Sequence, residues 1–155
     1  MKHGLFLIGL LAASSALAAT TGSITIQGSV PSTVAITVTG TTGFNTLDLA
    51  TNATNQQVAS VVEQSNSATG YKVTLASANA GALKNGTIGS VSYTAQYNSV
   101  NVSLSTTAQT VTNTTSATAV VNVTKPLTVS FTGQAPASMM AGTYSDTLTL
   151  TIAAN

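Results

Sequence analysis

The sequence predicts an all-β protein of short antiparallel strands, and three observations lead to that prediction. Apolar and polar residues alternate with a period of two along most of the chain, which buries one face of each strand and leaves the other in water. Clusters of Gly, Asn and Ser interrupt these segments at short intervals, as in a sandwich or barrel. No segment has a sustained helical period. The 155 residues suit a single domain with one hydrophobic core.

The first 18 residues have the pattern of a secretory signal peptide. Lys2 and His3 precede an apolar run, and the small-residue stretch Ala16–Ala18 follows it. The run is shorter than a helix that spans a bilayer. We therefore expect cleavage after Ala18 and export of residues 19–155.

Each predicted strand carries its large apolar residues at every second position. The first strand is SITIQGSV, residues 23–30, in which Gly28 interrupts the apolar row. The remaining predicted strands are 34–38, 71–75, 91–97, 100–104, 119–123, 127–131 and 148–152. The clusters that separate them are 39–45, 66–70, 80–86, 112–116 and 133–142, and a further turn is expected near 47–55.

The first and last strands each lack an obvious partner. Leu148, Leu150 and Ile152 alternate with threonine, and no further patterned segment follows them. A strand left unpaired at a sheet edge exposes backbone groups that template aggregation. The segment 23–30 has the complementary problem, because Pro31 separates it from the next strand. The sequence therefore predicts two strands, one near each end, for which the chain's own consecutive strands offer no clear pairing partner.

Composition excludes several classes of function. Residues 19–155 contain three lysines and three carboxylates, so their side-chain charges sum to zero. Arginine is absent, which argues against a nucleic-acid surface. Cysteine is also absent, so the domain must hold together without disulfides. The charged residues are Lys72, Lys84, Lys125, Asp48, Glu63 and Asp146.

The sequence offers little for catalysis or metal binding. Residues 19–155 lack His, Cys, Arg and Trp, which excludes histidine acid-base chemistry, thiol nucleophiles and the common zinc sites. The three carboxylates lie on separate segments, whereas a glycosidase pair or a calcium site needs them together. We predict no enzyme activity, no catalytic residue, no cofactor and no metal.

The tyrosines are predicted to belong to the core. Tyr93 and Tyr97 keep step with Val91 and Ala95 on one strand face, which favours burial over an exposed row that stacks on sugar rings. Lys72 falls on the opposite, solvated face of its strand. The pair Met139-Met140 is expected to pack within a loop rather than to form a soft contact surface.

The mature chain resembles subunits of chaperone-usher fimbriae. The resemblance is carried by ITIQGSVP, TVAITV, TGYKVTL and the ending GTYSDTLTLTI. The opening is similar to the cysteine-free colonisation-factor type, whose mature chains begin with an Ile-Thr-Val strand and a nearby proline. The ending resembles the spore-coat-U-like pilins of archaic chaperone-usher systems, which share Gly-Thr-Tyr-x-Asp-Thr-x-x-x-x-Ile. Both subclasses stay open, and the cysteine pair of many such pilins is absent.

The resemblance implies an incomplete immunoglobulin-like antiparallel β-sandwich that lacks its last strand. A periplasmic chaperone fills the gap first, and the N-terminal extension of the next subunit then inserts into it. The implied division is a signal peptide 1–18, a donor-strand extension 19–32 and a pilin domain 33–155. The implied donor residues are Ile24, Ile26, Gly28 and Val30, and the implied edge of the acceptor groove is Leu148, Leu150 and Ile152.

From this resemblance we expect a structural subunit of a surface fimbria that polymerises by donor-strand exchange and supports adhesion or biofilm formation. The expected partners are copies of itself joined head to tail, a periplasmic chaperone, an outer-membrane usher and a host or surface receptor. Two alternatives stay open. One is a self-contained secreted β-sandwich with a binding role, in which residues 23–30 pair within their own chain. The other is a small outer-membrane β-barrel, which the lack of tryptophan disfavours.

Overall fold

The computed structural model describes residues 19–155, and the predicted signal peptide lies outside the described residues. The chain divides at Val30, so that residues 19–30 and Pro31–Asn155 belong to different units. Residues 19–30 carry no helix or strand. Within 19–155 no helix has the length and hydropathy to cross a membrane.

Nearly all regular structure of Pro31–Asn155 is β-strand. A single 3-10 turn, Pro136–Ser138, is the exception among the described residues. The strands are β1 (Val34–Gly40), β2 (Ala53–Ser65), β3 (Tyr71–Ser77), β4 (Ala82–Asn85), β5 (Gly89–Tyr97), β6 (Val100–Val102), β7 (Gln109–Thr114), β8 (Val121–Phe131) and β9 (Leu148–Ala154).

The strands form two antiparallel sheets, as in a β-sandwich. The larger sheet has the order β1-β2-β8-β5-β4, with β6 also paired to β5. The smaller sheet has the order β7-β3-β9. Strand pairing is antiparallel throughout. The prediction of an all-β, antiparallel fold is therefore confirmed.

The core lies between the inner faces of the two sheets. Val61, Ala95 and Leu127 enter it from the larger sheet, and Leu75 enters it from the smaller one. The prediction that tyrosines are core residues is confirmed for three of them, since Tyr71, Tyr93 and Tyr97 are buried. Lys72 is exposed, as its place in the alternation predicts.

Two loop predictions meet different outcomes at adjacent residues. Met139 packs against the core, as expected for a loop methionine, whereas Met140 is exposed. Tyr144 is half-buried, and its hydroxyl donates a hydrogen bond to the Met140 carbonyl oxygen at 2.9 Å. This bond fixes the loop immediately before β9.

Several predicted boundaries are wrong, and each has a physical reason. The sequence does not predict the longest strand, β2, because Asn55, Gln56 and Gln57 lie in its first half and it later buries Glu63 and Ser65 where apolar residues would mark an inner face. The predicted turns at 80–86 and 112–116 contain β4, which has only four residues, and the polar end of β7. The predicted strands 119–123 and 127–131 join into one strand, β8, which begins at Val121 rather than at 119 and passes through Pro126.

Candidate functional site: a groove between the first and last strands

The candidate site is the gap between β1 and β9. Within the described residues β1 pairs only with β2, and β9 pairs only with β3, so that each strand has one unpaired backbone edge. The two strands come close to one another along the same side of the sandwich. Each sheet therefore presents a free edge to the same gap.

This gap contains an open apolar groove of about 400 Å³. Its floor is formed by core residues of the larger sheet, and its walls come from β1 and β9. Protein interiors contain few voids larger than a water molecule, so a space of this size within the core marks incomplete packing. The lining side chains include Val38, Phe44, Leu47, Val58, Leu83, Leu127, Val129, Phe131, Leu148 and Leu150.

Two large apolar side chains that line the groove are about half exposed to solvent. Val38 is 49% exposed and Phe44 is 54% exposed, although both line a space whose floor is the hydrophobic core. Gly40 belongs to the same wall, and an added Cβ there would meet the Phe44 ring at 2.8 Å. Phe44 therefore lies flat against the backbone of β1 because residue 40 has no side chain.

The three residues implied as the groove edge lie on β9, but they differ in position. Leu148 and Leu150 line the groove and are half-buried. Ile152 lies further along the strand, opposite Val73 of β3, and is not part of the lining. The rest of the lining was not predicted from the sequence. Phe44 and Leu47 come from the loop between β1 and β2, and most of the other residues lie on strands of the larger sheet that only the fold brings to the gap.

The four residues implied as donors lie in the segment 19–30, which carries no strand. The strand predicted at 23–30 is therefore wrong for the chain in this state, in which the segment has no pairing partner within the described residues. Ile24, Ile26 and Val30 are 85% to 90% exposed. A Cβ built on Gly28 meets nothing within 4 Å. The segment thus presents an apolar row to solvent, and its Gly28 is unconfined in this state.

The backbone that enters β1 is held by one side chain. Asn66, in the turn between β2 and β3, accepts a hydrogen bond from the Thr33 N–H at 2.6 Å and donates one to the Pro31 carbonyl oxygen at 3.0 Å. The same turn holds the other end of the fold, because the Thr69 hydroxyl donates to the Asn155 carbonyl oxygen at 2.7 Å. One end of the gap between β1 and β9 is thereby fixed.

At the other end of the groove, Asp146 fixes the start of β9. Its carboxylate accepts hydrogen bonds from the hydroxyls of Ser77 (2.6 Å) and Tyr93 (2.7 Å) and from the backbone N–H of Asn79 (2.9 Å). Burial, and then the hydrogen bond to Asp146, raise the pKa of the Tyr93 phenol well above its usual value. The carboxylate of the Gly-Thr-Tyr-x-Asp-Thr ending therefore joins β9 to β3 and β5.

A buried ionic cluster in the core joins the two sheets. Glu63 of the larger sheet is fully buried, and its carboxylate lies 2.7 Å from the Lys125 ammonium. It also accepts hydrogen bonds from the hydroxyls of Tyr97 (2.6 Å), Tyr71 (2.8 Å) and Thr112 (2.9 Å). Tyr71 and Thr112 belong to the smaller sheet. The cluster thus forms a polar link across the core.

The ionisation of this cluster follows from its contacts. Burial by itself raises the pKa of the Glu63 carboxyl, but the hydrogen bonds from Lys125, Tyr97, Tyr71 and Thr112 outweigh burial, so the pKa lies below its usual 4.5. Burial and the neighbouring carboxylate raise the pKa of Tyr71 to about 12 and that of Tyr97 further. Sequence reasoning missed Glu63 and Lys125 as partners, because charged residues on separate strands give no local signal of pairing.

The arrangement offers shape and apolar surface rather than reactive groups. Asp48 bonds within its own turn, while Glu63 and Asp146 are each engaged in a separate cluster. Within residues 19–155 no group of three His, Cys, Asp or Glu side chains lies close enough to hold a metal ion. The groove is thus suited to an extended apolar peptide, which can satisfy both free edges at once. Comparison with models of known protein families gave no match, and a search of curated proteins gave none either.

Proposed function

We propose that the protein is a structural subunit of a surface fimbria, in which residues 23–30 of one copy insert into the groove between β1 and β9 of the next. The observation that carries the proposal is the coexistence of an unfilled apolar groove and an exposed apolar segment in one chain. Each copy has one of each, so that head-to-tail insertion continues without closing and produces a fibre.

The dimensions of the two parts agree. At about 3.3 Å per residue, an eight-residue strand is about 26 Å long, and the seven residues of β9 span about 23 Å. An inserted strand lies between two unpaired edges and therefore gains a hydrogen-bond ladder on both sides. Ile24, Ile26 and Val30 alternate at the strand period, so all three point to the same face, toward the open core.

The energetics favour insertion because of the apolar groove. Burying three aliphatic side chains contributes about 5 to 9 kcal/mol to the free energy of association. Ordering eight residues opposes association by about 1 to 2 kcal/mol per residue, which the ladder hydrogen bonds offset at about 1 kcal/mol each. The donor segment thus binds tightly only where it also completes the core of its recipient.

The same proposal includes the immunoglobulin-like identity of the sandwich, export by a signal peptide, and transit through a periplasmic chaperone and an outer-membrane usher to the cell surface. A free edge and an open core in the subunit are a reason for a chaperone, since both promote aggregation. Adhesion or biofilm formation then follows from display of many copies on a fibre.

A pair of complementary variants tests the insertion. Ile26→Asp places a charge in the donor row, and Val38→Lys places one at the half-exposed mouth of the groove. We expect the wild-type mature chain to form fibres and each variant alone to remain monomeric. An equimolar mixture should stop at a one-to-one dimer, because the intact donor of one variant enters the intact groove of the other.

Matched controls place the same charges on the opposite faces of the same segments. Thr25→Asp and Thr39→Lys each alter a neighbour that points away from the implied contact, and both should still form fibres. Size-exclusion chromatography with light scattering measures the species. A wild-type chain that stays monomeric and unfolds cooperatively at a midpoint independent of concentration would favour the self-contained β-sandwich instead.

A further inference from the structure

On β1, β2, β8 and β5 the outer face of the larger sheet carries no charged side chain. Lys84 lies on the same face at the end strand β4, opposite Ser90. Strand register places Thr37, Gln64, Asn122, Thr124, Thr94 and Gln96 among its outward residues, with Val62 near the centre. In an average protein about a quarter of the residues are charged, whereas here hydroxyl and amide groups occupy this face across four strands. The smaller sheet differs, because its outward lysine, Lys72, lies on the central strand β3 rather than on an end strand.

Charge is scarce on the rest of the surface as well. Of the three lysines and three carboxylates in residues 19–155, Lys125 and Glu63 pair with each other in the buried cluster. The remaining charges, two of each sign, sum to zero. A surface with a net charge near zero lacks the electrostatic repulsion that keeps copies of a protein apart.

The chemistry of this face is self-complementary. Hydroxyl and amide side chains both donate and accept hydrogen bonds, so two identical faces can pair with each other, which two identically charged faces cannot do. We propose that this face is a lateral contact between copies of the chain, and that it joins neighbouring fibres side by side. The inference rests on the proposed function, because it requires fibres.

The size of the face explains why fibres are needed. Four strands about 4.8 Å apart and about seven residues long cover roughly 450 Å² per copy, or roughly 900 Å² for a pair. That is below the total of about 1,200 Å² at which specific interfaces between two proteins begin. Single pairs are therefore weak, but a fibre repeats the contact along its length, and the repeated contacts act together.

Charge placed on the face tests the inference. We expect wild-type fibres to form bundles at both low and molar salt, since no ion pair holds them together. The double variant Thr124→Lys with Thr94→Lys should form fibres of unchanged length but reduce the bundled fraction by about tenfold, through like-charge repulsion. The control variant Thr110→Lys with Thr151→Lys, on the outer face of the smaller sheet, should bundle like the wild type. Negative-stain electron microscopy measures both length and bundling.

A charge-swapped variant guards against an effect on folding. Thr124→Asp with Thr94→Asp should also give separate fibres, and mixing these with the lysine fibres should restore bundles, which a folding defect cannot do. Isolated wild-type fibres, or lysine fibres that still bundle, overturn the lateral contact and leave the proposed function intact. Separate wild-type fibres that bind a neutral polysaccharide such as dextran through this face overturn it as well. Absence of any fibre overturns both.

Discussion

At the scale of a single residue, the Glu63 carboxylate links the two sheets, as a disulfide does in many secreted domains. Its carboxylate receives hydrogen bonds or an ion pair from four side chains of both sheets. A buried charge is costly unless it is paired and hydrogen-bonded, and here every neighbour donates to it. The Glu63 carboxylate therefore links the two sheets through four side chains at once.

We predict that Glu63→Gln lowers the free energy of unfolding by about 3 kcal/mol at neutral pH, because Lys125 then remains buried without a counter-charge. Urea unfolding followed by circular dichroism measures the change. The double variant Glu63→Gln with Lys125→Met should be more stable than Glu63→Gln alone, since it removes the unpaired charge and keeps an amide oxygen as acceptor for the tyrosine hydroxyls. A double variant less stable than Glu63→Gln would contradict this account.

The pH dependence of stability has the same origin. Because the pKa of Glu63 is lower in the folded chain than its usual 4.5, its contribution to stability is present above about pH 4.5 and is lost as the pH falls through the folded value. The difference in stability between wild type and Glu63→Gln should therefore shrink in acid. A constant difference between neutral pH and acid would show that the charge is irrelevant.

The strands differ in how readily the sequence predicts them, and the difference follows from their inner faces. β1, β3, β5 and β9 alternate apolar and polar residues, and all four were anticipated. The inner face of β2 includes the polar residues Glu63 and Ser65, and their burial cannot be predicted locally because it depends on partners far along the chain. Likewise the sequence indicates Leu148 and Leu150 of the groove, but Phe44 reaches it only through the fold.

At the scale of a strand, the hydrogen bonds of Asp146 stabilise the start of β9. We predict that Asp146→Ala lowers the free energy of unfolding by about 2 kcal/mol, because the buried hydroxyls of Ser77 and Tyr93 lose their acceptor. Amide hydrogen exchange should accelerate in β9 before the rest of the smaller sheet. Asp48→Ala, which removes only exposed contacts within a turn, is the matched control and should cost less than 1 kcal/mol, on the order of a surface change. Equal losses in the two variants would argue against a special role.

The molecule as a whole has an open core, no disulfide and a nearly uncharged surface. Its stability therefore depends on whether the groove is filled. Anything that binds the folded chain and not the unfolded chain raises stability in proportion to the logarithm of its concentration over Kd.

We predict that a synthetic peptide of residues 23–30 raises the Tm of the Ile26→Asp chain, whose own donor is disabled and whose groove is free. At a hundredfold excess over Kd the gain is about 2.7 kcal/mol, or roughly 5 to 10 °C for a domain of this size. Differential scanning calorimetry measures the shift. The same peptide carrying Ile26→Asp should leave the Tm unchanged, and a shift with both peptides would point to non-specific binding.

The way Asn66 grips the chain before β1 bears on mechanical strength. In the proposed fibre, tension would enter each subunit through the stretch Pro31–Thr33, where two Asn66 hydrogen bonds would bear it first. Beyond them β1 is bonded to β2 from Val34 to Gly40, so that a pull along β1 would load the whole ladder in shear and its bonds would resist together. A thread of such subunits would yield by sudden rupture at high force rather than by unzipping one bond at a time.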